Sequence, residues 1–408
     1  MSTTTRNPAP RAADVAPRAS VAPPVPLALQ LAWGALVLNA LAYLALPTII
    51  PIPQRVGQLI TQGALLAALV LALAANRRMV VRPTLFLTLL AILGVVALMV
   101  SPHSDFPLGS TFRSVRFVAF IAVLWLFTPW WGRRDMVLLR CHRRVLWVIL
   151  ALVLVGAAIS PGVAFGFEGR LAGVLWPIPP TQVAHYSAVL LGTSAVLWMS
   201  RVITTWHASL AICVSGVALV ASHSRTALGA AVVGVVLAGA SLFVGHVRVR
   251  RTYALGSLVG VVFASVFASE LTQWLLRGQT REEAGQLTGR TKVWTEVLAH
   301  PRSRMEELFG SGMSDQSFDG LPIDNNWLGT YLDQGWFGVV VHATLLLILF
   351  LLVATHVRGP QRAVALFLIV YCLVASIAET GLFSATAYLL DLTVAAALLA
   401  PERRRELR

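Results

Sequence analysis

Apolar residues along this chain come in runs of roughly 17 to 22, the length a helix needs to cross about 30 Å of hydrocarbon. The runs centre near Leu36, Leu66, Leu90, Val123, Leu152, Leu191, Val217, Val235, Val261, Leu346, Val370 and Val394. They predict an all-α polytopic membrane protein with about twelve transmembrane helices and one long hydrophilic connection. The expected organisation is a disordered cytoplasmic tail over 1–24, nine helices over 25–269, a long extracytoplasmic loop over 270–335, three helices over 336–400 and a basic cytoplasmic tail over 401–408. The first run, from about Pro26 to Leu46, lacks a small-residue cleavage site and is expected to stay as a signal anchor.

Within the long connection the pattern changes to that of short amphipathic helices. Val293, Trp294, Val297 and Leu298 stand at helical spacing in Thr291 to His300, and Pro301 ends that run. Gly310 and Gly312 mark a tight turn. A second short helix, Asn326 to Leu332, is expected to lead straight into the apolar run that begins near Trp336. The segment therefore reads as a folded cap rather than a disordered linker.

Composition supports the membrane reading, since 57% of residues are hydrophobic, 12% are charged and the mean hydropathy is +0.75. A net charge of +14 would in a soluble protein suggest nucleic acid. Here the cations gather in short connections between apolar runs, where the positive-inside rule and anionic lipid headgroups place them. Membrane lipids are the expected partners and nucleic acid is not. Alternating the loops from a cytoplasmic N-terminus puts 21 of the 32 basic residues inside. Of the other 11, only Arg55, Arg113, Arg116, Arg170 and Arg225 fall in short outer connections. Both termini are thus expected in the cytoplasm. Cys141, Cys213 and Cys372 are too scattered for a disulfide framework or a metal site.

The candidate chemistry lies at the predicted outer face. Arg225, in Ser224-Arg225-Thr226 between two apolar runs, either snorkels to lipid or faces a polar cavity. Arg290 opens the loop helix beside Lys292, where free backbone N–H groups favour an anion and a guanidinium can bind phosphate in bidentate fashion; a solvated helix start is the alternative. Asp324, in Asp324-Asn325-Asn326, is a general-base candidate or the N-cap of the following helix. Arg170 and Glu168 form a second polar cluster or a simple intraloop pair. Glu379 either lines a cavity or makes structural hydrogen bonds, Asp391 falls inside the last run, and His185 and His342 read as lone histidines satisfied within the core. No metal cluster, phosphate loop or hydrolase elbow stands out, so arginine would have to balance any bound diphosphate.

Four features together resemble the O-antigen ligase and O-antigen polymerase superfamily of bacterial envelope glycosyltransferases, whose fold is GT-C-like. These are Ser224-Arg225-Thr226-Ala227 opening an apolar run, Gly289-Arg290 followed by Trp294, the Gly310-Ser311-Gly312 turn, and Asp324-Asn325 through Leu328 with Gly335-Trp336-Phe337-Gly338 beyond. Arg170 to Gly173 is a weaker fifth.

The resemblance implies an undecaprenyl-diphosphate-linked glycan donor, a glycan, lipid or cell-wall acceptor, no metal and no cofactor. Transfer would occur on the outer side of the cytoplasmic (inner) membrane. It assigns catalysis to Asp324, Arg225 and Arg290, and substrate binding to Arg170, Lys292, Asn325, Trp294 and Glu379. In many ligases of the family the residue at the position of Asp324 is histidine, which argues against a lipopolysaccharide ligase and leaves a polymerase or a ligase-like transferase. From other classes, a transporter or flippase of a lipid-linked or anionic solute remains open. So does a non-catalytic assembly protein that binds carrier lipid.

Overall fold

The computed structural model describes residues 25–41, 46–243, 247–276 and 290–401. Both predicted tails (1–24 and 402–408), and within the long connection Gly289 with the rest of 277–289, lie outside the described residues. The regular structure is almost entirely helical: α1 (Leu27–Ala40), α2 (Gln54–Ala75), α3 (Leu85–Val100), α4 (Pro107–Leu126), α5 (Val137–Ile159), the single turn α6 (Pro161–Ala164), α7 (Pro180–Met199), α8 (Thr205–Ala221), α9 (Arg225–Leu242), α10 (Val247–Val266) and α11 (Ala268–Leu276). Beyond the undescribed segment come α12 (Arg290–Ala299), α13 (Arg304–Phe309), the two-residue hairpin strands β1 (Ser317–Phe318) and β2 (Leu321–Pro322), then α14 (Asn326–Thr355), α15 (Pro360–Ala375) and α16 (Ala387–Leu399).

Each of the twelve predicted centres falls within one of these helices, and among the described residues six helices are long and apolar enough to cross a membrane. Four more, α1, α8, α15 and α16, are apolar but shorter. Leu66, Val70, Val217 and Leu347 point outward and are well exposed. That arrangement suits a protein surrounded by hydrocarbon. Local signals start the helices: Thr84, Thr204 and Ser224 accept from backbone N–H groups at the heads of α3, α8 and α9, and proline occupies the first turn of α4, α7 and α15.

α15 packs against α7, α9 and α16. The fully buried Phe367 ring fits into a notch left by Gly192 on α7 and Gly234 on α9; a Cβ at Gly192 would stand 1.9 Å from its Cζ. Arg116 ties a second region together. Its guanidinium donates to the Asn39 side-chain oxygen (3.2 Å), the Asn39 carbonyl (2.7 Å) and the Ala385 carbonyl (3.2 Å). Arg113 and Arg116, expected in a connection, are therefore part of α4; the polar residues at its start prolong a helix rather than interrupt one.

The predicted loop helices form as α12 and the first turns of α14. α14 continues through a bend at Gly335 (φ 63°, ψ −164°), where the polar loop sequence gives way to the apolar run. The bend exists to receive α13, because a Cβ on Gly335 would meet the Leu308 carbonyl group at about 2.4–2.5 Å. Gly310, which ends α13 at φ +82°, sits as close to Asp333, whose backbone a Cβ would meet at 2.2 Å. Gly310→Ala is expected to lower the unfolding midpoint of the detergent-solubilised protein, since strained backbone alone costs about 1–3 kcal/mol. Gly63→Ala, with nothing within 4 Å, should leave the midpoint unchanged or raise it. Equal midpoints for the two variants would contradict this packing.

Candidate functional site

The candidate residues are assembled by backbone contacts between three connections. Leu171 N–H donates to the Ala221 carbonyl (2.9 Å), which lays the 165–178 loop along the turn between α8 and α9. Arg170 follows with its Nε on the Ser222 carbonyl at 3.1 Å. Arg225 begins α9 three residues later and is partly buried. The Glu168–Arg170 pair expected within the loop is loose at 3.9 Å, with Glu168 72% exposed. Arg170 is thus anchored to the α8–α9 turn rather than spent on its neighbour.

The second junction joins the head of α14 to the connection between α15 and α16. Asn326 N–H donates to the Ser376 carbonyl (3.0 Å), Leu382 N–H donates to Asn326 Oδ1 (2.8 Å), and Trp327 Nε1 donates to Ser376 Oγ (3.2 Å). Asn325 is the N-cap: its Oδ1 accepts from Trp327 N (2.9 Å) and Leu328 N (3.1 Å), and its Nδ2 donates to the Ile377 carbonyl. This corrects the capping alternative for Asp324. With Asn325 capping, Asp324 stands just outside the helix at φ 42° and its carboxylate meets Arg290 Nη2 at 2.9 Å. Arg290 Nη1 donates to the Ala378 carbonyl at 3.1 Å, so the first residue of α12 is pinned beside Glu379.

Arg170, Arg290, Asp324 and Glu379 therefore lie within electrostatic range of one another. Burial pushes the Glu379 carboxyl up to about 7 and the Asp324 charge pushes the same way, against the opposing pull of Arg290 and Arg170. Burial likewise lowers the Arg170 guanidinium, opposed by Glu168 and Glu379 and reinforced by Arg290. Two guanidiniums and two carboxyls here form a compact set in which an anion would find hydrogen-bond donors and a hydroxyl would find an acceptor.

Other predicted site residues stand apart. Lys292 is exposed, and two residues along a helix of 3.6 per turn it faces away from Arg290. Trp294 donates its indole N–H to the Ile323 carbonyl (2.8 Å) and packs on Val293, Val297 and Ile323, so it holds α12 to the loop. Both ends of the Asn325 amide are committed to backbone.

The sequence reading missed a buried polar cluster deeper in the bundle. His142 Nε2 and His185 Nε2 face the two Asp391 oxygens at 2.8 Å and 3.0 Å. Trp33 Nε1 donates to His142 Nδ1 (3.3 Å), and the Tyr371 hydroxyl meets His185 Nδ1 at 3.1 Å. His185 is thus a satisfied core histidine, as expected, but one of a cluster rather than alone, and His342 is matched by Thr330 Oγ1 at 3.0 Å. The available signal was His185 and Asp391 inside apolar runs, while His142 stands among Arg140, Arg143 and Arg144.

Among the described residues no group of three or more His, Cys, Asp or Glu side chains could hold a metal ion. No family model matches the chain, and no curated protein matches it.

Proposed function

We propose that this chain is a membrane glycosyltransferase resembling the O-antigen ligase and polymerase superfamily. It moves a glycan from an undecaprenyl-diphosphate carrier to an acceptor hydroxyl at the outer face of the cytoplasmic membrane. About twelve helices span the bilayer, both termini are cytoplasmic, and the segment 270–335, with α12, α13 and the first turns of α14, is extracytoplasmic. The observation that carries the reading is the Arg290–Asp324 pair at 2.9 Å, set beside Arg170 and Glu379 at the junction of three connections.

In this reading Arg290 and Arg170, with Arg225 at the head of α9, hold the carrier diphosphate and stabilise the charge it gains on leaving. The acceptor oxygen attacks the anomeric carbon from the opposite side, the carbon–oxygen bond to the diphosphate breaks, and configuration inverts. The proton leaving the acceptor hydroxyl goes to a carboxylate. Asp324 was the candidate from sequence, yet its oxygen is engaged by Arg290. Glu379, raised to about 7, has the proton affinity a base needs near neutrality, and Asp324 then positions Arg290.

A base must be ionised to work. Transfer by the purified protein is therefore expected to rise with pH through about 7 and to fall on the acid side, and Glu379→Gln should be slow and lack that inflection. Stability has the opposite sign. The folded carboxyl holds its proton above its ordinary value of 4.5, so its contribution is present below 4.5 and is lost as pH rises through about 7. A Glu379→Gln enzyme with wild-type rate and pH profile would remove Glu379 from the mechanism.

A further inference from the structure

A cavity of about 590 Å³ opens where the end of α7 meets the head of α10. That volume is in the range of about 300–1,000 Å³ common to small-ligand sites. Arg201, Arg248 and Arg251 line it with Trp198, and no carboxylate does. α7 begins beside the 165–178 loop, and its 20 residues carry the chain about 30 Å away. The cavity therefore lies at the far end of the bundle from Arg170, Arg225 and Arg290.

Neighbouring arginines at this end are spent on protein partners. Arg133 and Arg140 share Asp135 at 3.0 and 2.8 Å, Arg143 donates to Ser194 Oγ (3.0 Å), and Arg144 donates to Gln30 Oε1 (2.7 Å). The cavity arginines differ. Arg248 is oriented but not neutralised: its Nη1 donates to the Trp198 carbonyl at 3.0 Å, and its guanidinium lies 5.3 Å from the Trp198 ring centre. That indole is itself fixed by donating to Thr205 Oγ1 at 3.2 Å. Arg201 and Arg251 are exposed and have no ion pair or hydrogen bond among the described residues. Arg248, Arg250 and Arg251 also stand within the first five residues of α10, at the positive end of its dipole, with no acidic residue in that turn. An anion in the cavity would relieve both repulsions.

The apolar half of the cavity decides which anion. Leu255, Gly256 and Val259 follow Arg248 and Thr252 at helical spacing along one face of α10. From Arg248 to Val259 this face runs about 16 Å, half of a hydrocarbon core about 30 Å thick. The protein leaves the stripe open: Leu255 and Val259 are 63% and 64% exposed, and a Cβ on Gly256 would have nothing within 4 Å. α10 is held instead through Tyr253, whose hydroxyl donates to the Val236 carbonyl of α9 and whose ring meets Phe243 at 5.9 Å. A free phosphate would use the arginines and leave the stripe bare, whereas a lipid uses both.

We infer that this cavity binds the phosphate of an anionic phospholipid, with a hydrocarbon chain laid along Leu255, Gly256 and Val259, in the leaflet opposite the arginine–carboxylate site. Guanidiniums bind phosphate in bidentate fashion, and basic pockets between membrane helices accept anionic headgroups. The cationic group of a zwitterionic lipid would meet three arginines. The bound lipid fills the gap between α10 and the end of α7, and its binding does not depend on the transfer reading.

The test titrates the full-length protein in uncharged detergent with phosphatidylglycerol or phosphatidylcholine of the same chains, counting bound lipid by native mass spectrometry. One phosphatidylglycerol is expected to bind at least tenfold tighter than phosphatidylcholine. Arg251→Gln should weaken it at least tenfold, and Gly256→Trp, whose ring fills the open stripe, should do the same. Arg250→Gln removes the same charge from a position outside the cavity lining and should leave the affinity within twofold. Inorganic phosphate should compete no better than chloride at equal ionic strength. Equal affinity for the two lipids, or equal losses in Arg250→Gln and Arg251→Gln, would reduce the site to general surface charge and overturn the inference. Displacement by inorganic phosphate beyond the effect of chloride would overturn it in favour of a free-phosphate site.

Discussion

Arg290→Ala is expected to lower the rate of carrier-diphosphate release by about 10²–10³-fold, the loss typical when one preorganised donor to a developing anion is removed. The expectation follows from its position. Arg290 reaches both the Asp324 carboxylate and the Ala378 carbonyl, so its guanidinium is oriented before any ligand arrives. Its removal also leaves Asp324 without its cation, beside a Glu379 that Asp324 already pushes up. Arg290→Lys should recover only part of the rate, because an ammonium cannot make two parallel bonds. Comparison with Lys292→Ala separates site from general charge, since Lys292 faces away and its loss should change the rate less than twofold, an effect of about 0.4 kcal/mol. Equal losses in Arg290→Ala and Lys292→Ala would show that only overall charge matters.

The largest expected effect on stability is at Asp391. The Trp33 indole N–H is a donor only, so His142 Nδ1 must accept and its proton sits on Nε2, facing Asp391. The Tyr371 hydroxyl on Nδ1 allows His185 the same arrangement. One fully buried carboxylate therefore serves imidazoles from α5 and α7, and Asp391 itself belongs to α16. Asp391→Ala would leave two imidazoles facing apolar side chains. Each buried N–H donor left without an acceptor costs about 1–3 kcal/mol. The folded yield and the unfolding midpoint in detergent should both fall sharply. Asp391→Asn, which can accept from one imidazole but not both, should fall between. An Asp391→Ala protein with a wild-type midpoint would show that the cluster contributes little to holding α5, α7 and α16 together.

The helices were legible in the sequence because a run of apolar residues is enough to specify a buried or lipid-facing helix, and Pro301, Gly310 and Gly312 punctuated the loop correctly. Partners were harder to read. In Asp324-Asn325-Asn326 each residue is a plausible cap, and only the backbone contacts to Ser376 and Ile377 decide that Asn325 takes the role and frees Asp324 for Arg290. Arg290 was identifiable as a cation at the head of the loop helix, and Arg170 as one in a short outer connection. The rise of the Glu379 pKa was not, because it depends on burial and on charges brought from distant connections. The Asp391 cluster was hidden for the same reason: its members come from distant parts of the chain, His185 and Asp391 each looked like a single polar residue in an apolar run, and His142 stood among arginines.

The most direct measurement follows purified protein in lipid with a defined undecaprenyl-diphosphate-linked oligosaccharide, reading free carrier diphosphate, glycan product and the anomeric configuration of the new bond together. The proposed transfer predicts carrier release and glycan product in equal amounts, inverted configuration at the transferred sugar, and loss of both signals in Arg290→Ala. Carrier-linked glycan that is bound or moved across the bilayer intact, with no carrier released, would contradict it.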